Sequence, residues 1–147
     1  MKKLISIFLF LVMNLCANAE ELKIFSDQLE VSRNEKVSTF TGNVHVIGKD
    51  FQLWSKELLV KTDANESDIK EIFASKKVKI NRNSIIAISE NATYFPEVNH
   101  IYMRGNVEVT ENNNTVYCDE LFMDIENSSS IMTSNPSSRV EVLIFSN

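Results

Sequence analysis

Beyond residue 20 the apolar positions alternate with polar ones in short runs, the period-2 signature of half-buried β-strands. Val44 and Val46 flank His45, Val78 and Ile80 flank Lys79, Val107 and Val109 flank Glu108, and Val140 and Val142 flank Glu141. A second set runs Leu29/Val31, Leu58/Val60, Ala92/Tyr94 and Leu121/Met123. Asn- and Asp-rich clusters separate the runs: Arg33-Asn34-Glu35, Asp63-Ala64-Asn65-Glu66, Asn81-Arg82-Asn83 and Glu111-Asn112-Asn113-Asn114. These residues suit turns because they tolerate left-handed backbone and bond to it locally. Helical periodicity is nearly absent. The pattern predicts roughly nine to eleven strands of ordinary length.

The strands recur. G-N-V-H-V (42–46), K-K-V-K-I (76–80) and G-N-V-E-V (105–109) are copies of one element, offset by 34 and then 29 residues. A second element, S-K-E-L-L-V (55–60), S-E-N-A-T-Y (89–94) and C-D-E-L-F-M (118–123), keeps the same offsets. S-D-Q-L-E-V (26–31) and S-R-V-E-V (138–142) extend the register to both ends, as an incomplete opening and an incomplete closing unit. Repeats of this length, made of strands only, predict stacked β units. Strands with one apolar face must fold that face over on itself. The expected fold is all-β: a twisted, partly open antiparallel β-jelly roll with an apolar strip along its interior. Val44, Val46, Leu58, Val60, Val78, Ile80, Tyr94, Val107, Val109, Leu121 and Met123 are the candidates for that strip. Read singly, each is an ordinary core position; read together, they make a groove for an apolar ligand. The end strands, about Leu22 to Val31 and about Arg139 to Phe145, would leave unpaired edges that invite another chain. The edge candidates are Leu22, Ile24, Leu29, Val31, Val140, Val142 and Ile144.

Residues 1–19 read as an export signal. Lys2 and Lys3 precede the apolar run Leu4–Leu15, and Ala17-Asn18-Ala19 is an A-x-A cleavage site. That run is short of the roughly 20 residues that cross a bilayer, so cleavage after Ala19 is expected and 20–147 is the one domain. The domain keeps 13 basic against 20 acidic residues, a net charge of −7, which argues against nucleic acid as a partner. Cys118 stands where the other copies have Ser55 and Ser89, a small side chain at a tight spot. His45 and His100 have no carboxylate or cysteine cluster at metal spacing, and no catalytic motif is present, so neither metal, cofactor nor enzymatic activity is expected. Trp54 reads as a packing or rim residue. Asn65-Glu66-Ser67 and Asn113-Asn114-Thr115 are N-glycosylation triplets, each with an acid two residues upstream (Asp63, Glu111) as bacterial glycosylation systems use; chance in an Asn-rich chain is the plainer reading.

The G-N-V-x-V strands and the "S/C, acidic or polar, x, L, x, V/Y/M" strands at 26–31, 55–60, 89–94 and 118–123 resemble the OstA-like family over the whole mature chain. Lys76-Lys77 departs from the Gly-Asn of the other copies and removes the bend signal from the middle one. The resemblance implies a periplasmic protein that carries lipopolysaccharide between the membranes. It also implies end-to-end stacking on further copies and on homologous OstA-like domains of the inner- and outer-membrane components. Two other readings stay open: a membrane-anchored adaptor domain of the same export system, and a structural or glycan-binding β-solenoid.

Overall fold

The computed structural model describes residues 22–145; the export signal expected at 1–19 and its expected cleavage after Ala19 lie outside the described residues. Ten strands form one antiparallel meander: β1 (Lys23–Phe25), β2 (Gln28–Ser32), β3 (Val37–Ile47), β4 (Phe51–Thr62), β5 (Ile69–Arg82), β6 (Ile85–Phe95), β7 (His100–Glu111), β8 (Asn114–Asp124), β9 (Ser129–Thr133) and β10 (Glu141–Leu143). The order is β1-β3-β4-β5-β6-β7-β8-β10, with β2 also on β3 and β9 also on β8. β1 and β2 therefore cover the two halves of β3, and β9 and β10 cover the two halves of β8. The sheet is eight rungs deep, and each end rung is a broken strand.

Every long strand pairing shifts register at its middle. In β3, β5 and β7 the extra residues have left-handed backbone: Gly42 and Asn43 (φ 83° and 45°), Lys76 and Lys77 (63° each), Gly105 and Asn106 (83° and 48°). These β-bulges bend the strands along a common seam. They divide the sheet into two walls, one holding β2, β9 and the flanking half-strands, the other holding β1 and β10 with theirs. Side chains from both walls form one buried cluster that includes Phe40, Leu58, Ala74 and Met103 on one side and Val46, Val78, Ala87 and Val107 on the other. With no other layer among the described residues to cover it, the sheet buries its apolar face against itself.

The middle bend persists without glycine. Two lysines in the left-handed region cost about 1–2 kcal/mol each, but β5 is paired on both sides with strands that bend at the same level and has to follow them. The flanking seams show why the substitution is coordinated. At Gly42 a Cβ would lie 2.5 Å from Asp27 Oδ2, and at Gly105 2.5 Å from Glu90 Oε2, because a carboxylate packs against each glycine and accepts from the next residue, Asn43 (2.9 Å) or Asn106 (2.8 Å). The position matching Asp27 and Glu90 beside Lys76 is Lys56, which brings no carboxylate there. Lys76 instead pairs with Glu57 at 2.7 Å.

The recurring serine also has a mechanical role. Ser26 Oγ donates to Gln28 O (3.0 Å), Ser55 Oγ to Glu57 O (3.0 Å) and Ser89 Oγ to Asn91 O (2.8 Å). Each hydroxyl thus bonds a carbonyl two residues on, across the bend. Cys118 sits at the fourth such place, buried, with the Glu120 backbone amide against its sulfur. Burial, and then the Asp119 carboxylate, pushes the thiol up from its ordinary value.

Candidate functional site

The pairings align the inner side chains into rows that cross the whole sheet. In the first wall one row is Leu29–Phe40–Leu58–Ala74–Ala92–Met103–Leu121–Met132. Nearer the tips lies Val31–Ser38–Val60–Ile72–Tyr94–Ile101–Met123–Ser130. Facing them in the second wall is Ile24–Val46–Leu53–Ile80–Ala87–Val109–Val116–Val142. Against the seam lie the paired contacts Val44–Ser55, Val78–Ser89 and Val107–Cys118.

All eleven strip candidates fall on these inner rows. Val44, Val46, Leu58, Val60, Val78, Val107 and Leu121 are buried, while Ile80, Val109 and Met123 are partly buried against them. Tyr94 stands at the tip of the first wall, half-buried, with its hydroxyl donating to Asn99 Oδ1 at 2.9 Å. The repeat overlooked Phe40, Ala74 and Met103, although each lies four residues before the first valine of its V-x-V or V-x-I element. Ala87, Ile72, Ile101 and Met132 were likewise unmarked, and Ala92, marked in the second alternating set, was left out of the strip.

The interior is shut. Leu58, Val78 and Val107 expose 0% of their surface, and the three alanines of β5 and β6 are at most 5% exposed. Each row is exposed at one end, Leu29 at 37% and Val142 at 52%, while Met132 and Ile24 at the other ends pack partly against the core. Polar ties at the tips join neighbours within one wall, as Lys36–Glu66 (2.8 Å) and Lys70–Glu97 (3.3 Å) do in the first and Arg82–Asp50 (3.0 Å) in the second. None of these three pairs crosses from one wall to the other.

The edges differ in detail from the sequence expectation. The opening edge is two short strands, not one strand from Leu22 to Val31: the chain turns at Ser26-Asp27, with Asp27 N donating to Gly42 O. Leu22 and Ile24 pack partly into the core, while Leu29 and Val31 are exposed. The closing edge is shorter than Arg139–Phe145. Only Glu141–Leu143 pairs, so Val140 precedes the strand and Ile144 follows it, 72% exposed. Its other half, β9, had no signal in the repeat. Residues 134–140 replace the two-residue bulge, held where Asp119 accepts from Asn135 N (2.7 Å) and Ser138 Oγ.

On the outer face of the second wall, Trp54 stacks on His45 (centroids 4.9 Å apart, 12° between planes) and Lys79 Nζ lies 5.5 Å over its ring. With both faces covered, Trp54 packs and offers no sugar platform.

Residues 23–129 match the family described as LptA/(LptD N-terminal domain) LPS transport protein. The chain belongs to this family. Its members are lipopolysaccharide-transport proteins by that description, as the resemblance of the repeated strands implied. Among solved structures, the chain is similar to LptH, "the LptA homologous periplasmic component of the conserved lipopolysaccharide transport device from Pseudomonas aeruginosa", at 15% identity and a TM-score of 0.74 over 85% of this chain and 95% of that one. That likeness establishes the open antiparallel fold. No curated protein matches the chain.

Proposed function

We propose that the chain is a periplasmic lipopolysaccharide-binding bridge protein. It would carry lipopolysaccharide from the inner to the outer membrane between its two walls, within an end-to-end β assembly that also joins homologous OstA-like domains of the membrane components. The observation that carries the reading is the set of inner apolar rows, which run without a polar interruption from Leu29 to Met132 and from Ile24 to Val142 and end at open edges. Stacked copies would join such rows into one strip.

The closed interior means that an acyl chain enters only as the walls separate. Burying one CH₂ contributes about 0.8 kcal/mol, so a dozen carbons offer on the order of 10 kcal/mol at most. That gain works against the cost of parting two walls joined by side-chain contact. The negative charge of the chain is a weak obstacle, since repulsion from lipid phosphates is screened beyond about 8 Å in physiological salt.

Photocrosslinking in cells tests the reading. Val109 lies on an inner row and Glu108, its neighbour, on the outer row between Ile88 and Tyr117. A photoreactive residue at 109 is expected to capture lipopolysaccharide and one at 108 is not. Absence of a lipopolysaccharide adduct at 109 would favour a second reading, for which the shut interior speaks: a structural β protein whose inside is only core.

A further inference from the structure

The turn that joins β4 to β5 at the tip of the first wall, tied to the β2–β3 turn through Lys36–Glu66, is built in a specific way. Asp63 Oδ1 accepts from Asn65 N (3.2 Å) and Ser67 N (2.9 Å), and Asp63 Oδ2 accepts from Ser67 Oγ (2.9 Å). The acid and the hydroxyl of the sequence Asp63-Ala64-Asn65-Glu66-Ser67 thus close a ring around an exposed asparagine whose side-chain amide makes no hydrogen bond among the described residues. From this we infer that Asn65 accepts an N-linked oligosaccharide from a membrane oligosaccharyltransferase that reads an acid two residues before the asparagine and a hydroxyl two after it.

The rest of the chain supplies the contrast. Three other N-x-S/T triplets occur, at Asn91, Asn113 and Asn127. Asn91 lies mid-strand in β6, paired with Ser75 and Arg104, and the next residue, Ala92, is in the core. Asn127 is exposed, but Ile125 stands two residues before it and its Nδ2 is taken by Asp124 Oδ2 at 2.7 Å. Asn113 has the upstream acid Glu111, but it sits in a two-residue hairpin with φ 71°. The ladder there runs up to Glu111–Asn114, and the required hydroxyl, Thr115 Oγ1, is 3.2 Å from Thr110 Oγ1. Presenting Asn113 requires unzipping β7 from β8. Presenting Asn65 requires freeing Asp63 and Ser67 from each other and Glu66 from Lys36, all within or against the six residues between the ladder partners Thr62 and Ile69, and leaves the β4–β5 ladder paired, so it alone combines the full five-residue signal with access short of unzipping two strands.

The donor is a polyprenyl-pyrophosphate-linked oligosaccharide. The amide Nδ2 of Asn65 attacks the anomeric carbon. The new bond is C–N, the bond broken joins the anomeric carbon to the pyrophosphate oxygen, and the lipid pyrophosphate leaves with the electron pair. Nδ2 gives up one proton to a base of the transferase. An amide nitrogen is a poor nucleophile because its lone pair is delocalised into the carbonyl, so the transfer depends on the enzyme reaching both flanking groups.

The protein isolated from the organism that makes it decides the matter, by intact mass and by fragment localisation. Expected is an oligosaccharide on Asn65, lost completely in Asn65→Gln, Asp63→Asn and Ser67→Ala and retained in Ser67→Thr. Asp63→Asn keeps an oxygen able to accept the Ser67 amide while removing the charge, so its thermal melt separates loss of recognition from loss of fold. A native mass equal to that of the bare polypeptide overturns the inference, as does sugar on Asn113 or Asn127 with Asn65 bare, or full occupancy in Asp63→Asn. The result is independent of the lipopolysaccharide reading.

Discussion

Leu58→Ala distinguishes a packed interior from a groove that already stands open. Leu58 has no exposed surface, and its row neighbours are Phe40 on one side and Ala74 on the other. Truncation removes three carbons, about 2.4 kcal/mol of transfer free energy at about 0.8 each. Ala74 is too short to fill the space, so a cavity term adds to this and the total comes to about 3–4 kcal/mol. With a urea slope near 2 kcal/mol/M, the unfolding midpoint of the dilute monomer is expected to fall by about 1.5–2 M. Leu29→Ala, at the open end of the same row and 37% exposed, is the control and should cost about 1 kcal/mol or less. If Leu58→Ala costs under about 1 kcal/mol, or no more than Leu29→Ala, the walls already stand apart and the account of a shut core is wrong.

Gly105→Ala forces a Cβ into a backbone with φ 83° and toward Glu90 Oε2; a loss of about 1–3 kcal/mol is expected. Adding Glu90→Ala should recover only the collision and leave the backbone strain, a coupling that a double-mutant cycle of urea melts reads directly. Ser89→Ala removes a buried hydroxyl from the Asn91 carbonyl and should cost about 1 kcal/mol, while Cys118→Ser should fall within about 0.5 kcal/mol of the parent, both by thermal melt. The carboxyl of Asp119 is held below its ordinary value, first by the Ser138 hydroxyl and then by the Asn135 amide, and that of Asp124 first by the Asn127 side chain and then by its amide. A lowered folded-state value means the folded protein binds fewer protons than the unfolded chain, so this stability is present above the ordinary carboxylate range and is lost as pH falls through the lowered values. Urea midpoints measured downward from pH 6 should drop below about pH 4, with a shallower drop in Asp119→Asn; an unchanged slope in that variant refutes the assignment. Deleting 139–147 removes β10 and should abolish concentration-dependent association in sedimentation; undiminished assembly excludes the edge as a joint.

The V-x-V pairs and the Ser/Cys positions were legible because each inner valine of a repeat faces the same neighbour, so the same side chain recurs. Phe40, Ala74 and Met103 occupy equivalent places on the other side of the bend, all buried in the shared cluster, yet differ in size. Recurrence of type could not find them; spacing from the valines could. The middle bend was illegible for another reason. Glycine signals a left-handed pair only where the local residue must favour it, and at Lys76-Lys77 the neighbouring strands impose the geometry. The break at Ser26-Asp27 and the strand at Ser129–Thr133 escaped notice because short edge strands carry few inward positions, too few to show a period.

The seam has a consequence for how such a chain can change length. Bulged strands (β3, β5, β7) alternate with smooth ones (β4, β6, β8), and a bulge always faces a smooth partner. The end rungs obey the same rule: β1 with β2 is of the smooth kind, and β9 with β10 is of the kind that carries the extra residues. Losing or gaining a single strand would set two bulges, or two smooth strands, against each other and break the bend at that level. Only a smooth–bulged pair can be inserted or removed without a fault. The architecture is thus quantised in hairpins, four of them among the described residues, and its natural unit of duplication or deletion is the pair.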